Sequence, residues 1–309
     1  MPPPEPMSTL PNHPDPRAAL EAAPAYVDSA VRESIGYRRT DAFPGIEIID
    51  ASNTGRSWSY FNALYGLAMM RSWHGEVLYR GRAHRVIPGQ MFCPEPGETH
   101  TALPDAGSAG SFDVFMIASE VLTEHLAEHG MVSQAPHWKE VVHASSQNLA
   151  AKFDAVLGVV HSASGRMQVQ SSISELIGAL ASEMISGARP RIESDPKSRV
   201  AARIRECLHY EGTAMDLNEL AKKVGLSRFQ TLRIFKRRYG LPPHAYQLCL
   251  RISMAQQRLL AGDAPARVAA ETGFVDQSHM IRHFKRLAGV TPRRYLAGAA
   301  VERVNRSDR

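Results

Sequence analysis

Twelve residues near the C-terminus are written twice. FKRRYGLPPHAY runs from Phe235 to Tyr246 and FKRLAGVTPRRY from Phe284 to Tyr295, with Phe, Lys, Arg, Gly, Pro and Tyr identical in register. A frame F-K-R-x-x-G-x-x-P-x-x-Y repeated at a 49-residue offset calls for one small supersecondary unit built twice. Its Gly and Pro would end one helix and turn the chain toward the next, while Lys and Arg stay outside.

The residues around each copy say what the unit is. A first helix is expected over Ser198 to Tyr210, with Val200, Ile204, Cys207 and Leu208 on one side. Asp216 followed by Glu219 forms a capping box for a second helix that ends near Gly225. Ser227 and Gln230 repeat that signature for a third helix, Arg228 to Tyr239. Helix, glycine turn and capped helix make the helix-turn-helix plan. In the later unit VAAETG from Val268 answers LAKKVG from Leu220, placing Ala269 with Ala221 and Gly273 with Gly225, and Asp276 is the expected N-cap. Pro243 to Ala261 reads as one long connecting helix. Two units on such a connector could reach successive major grooves, roughly 34 Å apart.

Charge points the same way. Residues 1–195 hold 14 Lys/Arg against 22 Asp/Glu, and residues 196–309 hold 22 against 9. Clustered cations at the C-terminal end suit a polyanion partner. The candidate base readers are Arg228, Phe229, Gln230 and Arg233 in the first unit and Gln277, Ser278, His279 and Arg282 in the second. Phe229 is balanced between burial and a thymine methyl, and Gln230 between its cap and a base edge. Lys236, Arg237, Lys285 and Arg286 are the candidate phosphate contacts. Leu226, Ile234 and Phe235 are expected in the core.

The acidic front half is different. Residues 1–25 form a Pro-rich segment expected to be disordered, within which Met7 is an alternative start. Residues 26–120 show short apolar runs between Gly, Pro, Asn and Asp, the pattern of an antiparallel sandwich or barrel. Residues 121–187 turn helical, and Val169, Ile173, Leu176, Ile177, Leu180 and Met184 draw one apolar stripe that either packs on the sandwich or pairs with a second subunit. A polar linker, 188–197, joins this part to residues 198–298, and 299–309 is a tail. Three cysteines, Cys93, Cys207 and Cys249, lack CxxC spacing, which fits a reducing, cytoplasmic setting. No apolar run reaches the length of a membrane span, and the N-terminus does not read as a secretory signal.

From about Val200 to Leu296 the chain resembles the DNA-binding domain of AraC/XylS-type transcription regulators. The resemblance is carried by LSRFQTLRIFKRRYG and most closely by GFVDQSHMIRHFKRLAGVTPRRY. It implies a seven-helix domain, double-stranded promoter DNA as partner, and activation through RNA polymerase. In the front half, the segment LYRGRAHRVIPGQMFCPEPGETHT from Leu78 resembles the cupin-like jelly roll that such regulators use to bind a small effector. The expected fold is therefore α+β with two domains, an all-β jelly roll with trailing helices followed by an all-α double helix-turn-helix domain, assembled as a homodimer. Metal-dependent cupins need a His-x-His pair, and Tyr60-Phe61-Asn62-Ala63-Leu64-Tyr65 has none. A metal or other cofactor, and enzyme activity, are not expected. Tyr60, Asn62, Tyr65, Trp73 and His100 are the candidate effector-pocket residues. The effector's identity is not written in the sequence. Three alternatives stay open: a metal cupin enzyme with a DNA-binding tail, an alkyl-transfer repair protein using Cys93, and a DNA binder without an effector.

Overall fold

The computed structural model describes residues 33–128, 136–162, 164–186, 196–210 and 215–300. The Pro-rich segment 1–25, most of the 188–197 linker and residues 301–309 lie outside the described residues.

Two antiparallel sheets face each other. The first, six-stranded, has the order β1 (Ser34–Arg39), β2 (Ile46–Thr54), β9 (Gly110–Ile117), β4 (Tyr65–Met70), β7 (Gln90–Phe92), β11 (Val142–Ala144). The second has the order β3 (Trp58–Phe61), β8 (Thr99–Pro104), β5 (Gly75–Tyr79), β6 (Arg82–Val86). A two-stranded ribbon joins β10 (His137–Trp138) to β12 (Ile185–Ser186). Strand periodicity sorts the six-stranded sheet into two faces. Ile49, Ala51, Ala68, Met70, Phe112 and Met116 look toward the second sheet, whereas Ile46, Ile48, Tyr65, Leu67, Phe115 and Ile117 look away from it. Both faces are covered, so β4 is buried at every position.

Three helices cover the outer face: α1 (Ser119–Glu128), α2 (Gln147–His161) and α3 (Arg166–Glu183). The apolar stripe of α3 lies inside the chain, with Ile173, Leu176 and Leu180 fully buried against α2 and the outer face of the sheet. The stripe thus takes the internal alternative, and dimerisation through this segment would need the opposite face of α3. Ser146 caps α2 by accepting from the Leu149 amide at 3.0 Å, and its hydroxyl donates to Glu183 at 2.6 Å, which ties the end of α3 to the start of α2.

Among the described residues seven helices follow: α4 (Pro196–Tyr210), α5 (Leu217–Val224), α6 (Arg228–Tyr239), α7 (Pro243–Leu260), α8 (Pro265–Glu271), α9 (Gln277–Ala288) and α10 (Pro292–Ala300). The repeated phrase proves to be their scaffold. Phe235 and Tyr246 meet edge to face at 5.2 Å, and Phe284 and Tyr295 do the same at 5.4 Å. All four are buried. Gly240 and Gly289 end α6 and α9 in the left-handed region, at φ 74 and 78°. Pro243 and Pro292 open α7 and α10, where a missing amide hydrogen costs nothing. The capping boxes at Asp216 and Ser227 are both formed, and the Asp276 side chain accepts from the His279 amide at 2.6 Å.

The two domains share one core. Ile35, Tyr37, Phe61 and Phe92 of the sandwich belong to the same buried cluster as Phe235, Tyr246, Phe284 and Tyr295.

Candidate nucleic-acid interface and sandwich cavity

On α6 the side chains of Arg228, Phe229, Gln230 and Arg233 are exposed, as are those of Gln277, Ser278 and Arg282 on α9. These residues occupy the first turns of their helices, while Thr231, Phe235, Met280 and Phe284 hold the opposite faces in the core. Phe229 is 71% exposed, which decides the open question in favour of the surface. The Arg233 guanidinium lies 5.8 Å from its ring centroid, a cation–π contact that orients both. Gln230 uses its side-chain oxygen on the Ser227 amide at 3.0 Å, so only its NH2 group remains to face a partner. His279 is half-buried, and its Nε2 lies 2.8 Å from Nε2 of His283. Burial, then Arg286, pushes the His283 ring down to about 4. It is therefore neutral near neutral pH. Arg237, Lys285 and Arg286 are exposed and Lys236 is half-buried, all on the later turns of the two helices.

Between the sheets lies an apolar cavity. Its lining includes Tyr60, Asn62, Trp73 and His100, four of the five residues expected from sequence, together with Met70, Phe92 and Phe112. Tyr65 is a correction. It falls on the outward-facing register of β4, where its hydroxyl donates to the Pro136 carbonyl at 2.7 Å and its ring packs edge-on against Trp138. A period of two cannot say which side of a doubly covered sheet faces the cavity.

Among the described residues no Asp, Glu, Lys or Arg lines this cavity. The Asn62 amide nitrogen donates to the Glu98 carbonyl at 2.8 Å, which fixes the orientation of the amide, and lies 3.2 Å from His100 Nδ1. Burial pushes the His100 ring down to about 4, so the imidazole is neutral. With Nδ1 accepting from Asn62, Nε2 carries the proton and is the ring's donor. The free space is about 70 Å³, roughly half that of an engineered apolar cavity that takes benzene. One lining residue comes from the other domain: Leu287, near the end of α9.

The repeats dock on the sandwich at equivalent points. The Ala288 carbonyl accepts from the Tyr37 hydroxyl at 2.9 Å, and the Tyr239 carbonyl accepts from the Thr99 hydroxyl at 3.2 Å. These two carbonyls are one repeat apart and belong to the last residues of α9 and α6, where no intrahelical partner exists. Arg56 adds a bond to the Arg286 carbonyl at 2.8 Å. Tyr295 donates to Glu47 at 3.2 Å, and Arg39, ion-paired with Glu47, lies 4.1 Å over the Tyr295 ring. Burial of Glu47 raises its carboxyl despite that partner. None of Tyr37, Arg39, Glu47, Arg56, Thr99 and Leu287 stood out in the sequence reading. One signal was available: at a position where the first repeat has Arg238, paired to Glu98 at 3.7 Å, the second has Leu287.

Cys93 is fully buried beneath the sheet, and burial raises its thiol, which is the reverse of an activated nucleophile. Among the described residues no group of three or more His, Cys, Asp or Glu side chains is placed to hold a metal ion, and no helix is long and apolar enough to cross a membrane.

Two capped helix-turn-helix units, each presenting a basic helix outward, define a DNA-binding domain. Residues 220–298 match the helix-turn-helix domain family. The uncharacterized HTH-type transcriptional regulator YbfI of Bacillus subtilis is 23% identical over 226 residues, covering 72% of this chain and 80% of that protein. The HTH-type transcriptional regulator ArgR of Pseudomonas aeruginosa is 31% identical over 133 residues, 38% of this chain and 40% of its own. Among solved structures, ToxT from Vibrio cholerae O395 is similar over 83% of this chain and 98% of its own, at 11% identity and a TM-score of 0.44. Residues 220–298 thus carry a helix-turn-helix domain, and the curated proteins that the chain resembles are named as transcriptional regulators.

Proposed function

We propose that this regulator binds specific promoter sequences through α6 and α9 and that a small effector in the sandwich cavity controls it, with activation as the expected outcome. One observation supports effector control above others: the cavity wall includes Leu287, one residue before the docked carbonyl of Ala288. A ligand larger than the present free space must displace wall residues, and any displacement of Leu287 moves the end of a DNA-reading helix. Coupling of that kind changes DNA affinity only by the ligand's differential affinity for the docked and released arrangements. The neutral, uncharged lining favours an apolar effector bearing one hydrogen-bond acceptor for His100 Nε2.

Base reading would fall to Arg228, Phe229, Gln230 and Arg233 and to Gln277, Ser278, His279 and Arg282. Lys236, Arg237, Lys285 and Arg286 would contact phosphates. The test is genome-wide mapping of bound promoters, followed by titration of the metabolites handled by the neighbouring genes into the protein on labelled promoter DNA. A metabolite that shifts promoter affinity and alters transcription fits the reading. Promoter binding that no such metabolite shifts would identify an effector-independent DNA binder instead.

A further inference from the structure

On α9 two imidazoles meet across one helical turn. His279 Nε2 lies 2.8 Å from His283 Nε2, and the other nitrogen of His283, Nδ1, lies 3.0 Å from a guanidinium nitrogen of Arg286. At the opposite end, His279 Nδ1 lies 3.4 Å from the Val275 amide nitrogen. A neutral imidazole carries one proton, so it donates from one nitrogen and accepts at the other. Burial holds His283 neutral near neutral pH. Only two arrangements then leave a hydrogen bond between the rings. If Val275 donates to His279 Nδ1, His279 donates from Nε2, and the Nδ1–H of His283 must face the N–H of a permanent cation. If Arg286 donates to His283 Nδ1, His283 donates from Nε2, and His279 carries its proton on Nδ1. The first arrangement sets two donors against each other at 3.0 Å and forfeits a charge-assisted bond. The second forfeits a 3.4 Å contact at the long limit of hydrogen bonding. The second prevails.

We propose that His283, held by Arg286, is a positioning residue that fixes His279 as a hydrogen-bond donor and thereby sets the base preference at the position His279 faces. The inference rests on the reading of α9 as a DNA-contacting helix. His279 Nδ1 opens beside Val275, whose side chain is 87% exposed. The first repeat reaches the same state by different chemistry. Its third helical residue, Gln230, stands 49 positions before His279 and spends its side-chain oxygen on the Ser227 amide, which leaves an NH2 donor. Both helices thus present a donor from the same place. Without its neighbour, the His279 ring could take either tautomer and accept from an amino group as readily as it donates. In the major groove guanine offers two adjacent acceptors, N7 and O6, whereas cytosine offers an amino donor. A ring locked as a donor selects guanine and rejects cytosine.

Ring protons and base preference test this separately. In the full-length protein with isotope-labelled histidine, two-bond proton–nitrogen spectra near neutral pH locate the proton of each ring. The signals are identified by their loss in His279→Gln and His283→Gln. The proton is expected on Nδ1 of His279 and on Nε2 of His283, and a proton on Nε2 of His279 would overturn the chain of bonds. Binding to a randomised duplex library reads the consequence. The wild type should favour guanine over cytosine at one position by about three- to tenfold. His283→Leu keeps the bulk and removes both nitrogens, and should bring that preference below about twofold while the positions read by Arg233 and Arg282 keep theirs. His283→Gln should restore it, because an amide can accept from Arg286 and donate to His279, which separates loss of the proton chain from loss of fold. A preference that His283→Leu leaves intact, or that His283→Gln does not restore, would overturn the role of His283. A second half-site without any base preference would overturn the reading of α9 itself and the preference with it, while the ring spectra judge the bonds on their own.

Discussion

Docking of the two repeats on the sandwich rests on two hydroxyl–carbonyl bonds that can be removed without changing shape. Tyr37→Phe deletes the donor to Ala288, and Thr99→Val deletes the donor to Tyr239. Each change forfeits a hydrogen bond and leaves a buried carbonyl without a partner, a loss of about 1–2 kcal/mol per site. Together they should raise the undocked population by about 30- to 1,000-fold. The ceiling is the docking free energy itself, because an undocked carbonyl regains water. All three tryptophans, Trp58, Trp73 and Trp138, lie in the sandwich half, so their fluorescence reports that half alone. Far-ultraviolet circular dichroism at 222 nm is dominated by helices, most of which lie in the DNA-binding half. With a core shared across the domains, the wild type should unfold with coincident transitions by the two probes. In the double variant the transitions should separate, and affinity for promoter DNA should change in step. If the probes stay coincident and the midpoint moves by less than about 1 °C, the paired carbonyl contacts do not hold the domains together.

Arg233→Ala or Arg282→Ala should each cost about 1–3 kcal/mol of promoter affinity and relax preference at one base position, read by binding to a randomised operator library. Intact discrimination would remove that residue from the readers. Lys285→Ala should weaken all sequences alike and reduce the slope of log affinity against log salt by about 1. His100 and His283 are both held well below their ordinary value of 6.5, at about 4. Their neutral forms are the ones the fold accepts, so stability is fully present above 6.5 and falls away as pH drops from there toward 4. Near pH 5 the His100 contribution should be reduced by about 1–2 kcal/mol, and His100→Asn should flatten the pH dependence of the tryptophan-monitored midpoint. A variant with the same acid sensitivity would show that other groups control it.

Much of the DNA-binding half was legible because its information is local. Caps at Asp216, Ser227 and Asp276, left-handed glycines at Gly225 and Gly273, and prolines at Pro243 and Pro292 act within a few residues of where they stand. The same locality made the outward turns of α6 and α9 readable as exposed surface. Phe229 was undecidable in advance, since an aromatic beside a cap fits a core or a base equally well. In the sandwich, four of the five expected residues line the cavity, whereas Tyr65 faces the helices on the outer side of the sheet, which the sequence pattern could not foresee.

The sequence by itself determined that a structural unit is built twice, where each copy begins and ends, and which side chains each copy presents. It did so because helix caps and turns are short-range chemistry. Only the tertiary structure decided what the ends of those copies rest on. The bonds from Tyr37 to Ala288 and from Thr99 to Tyr239 join residues 251 and 140 positions apart. Their acceptors are main-chain carbonyls, which every residue has and no sequence distinguishes.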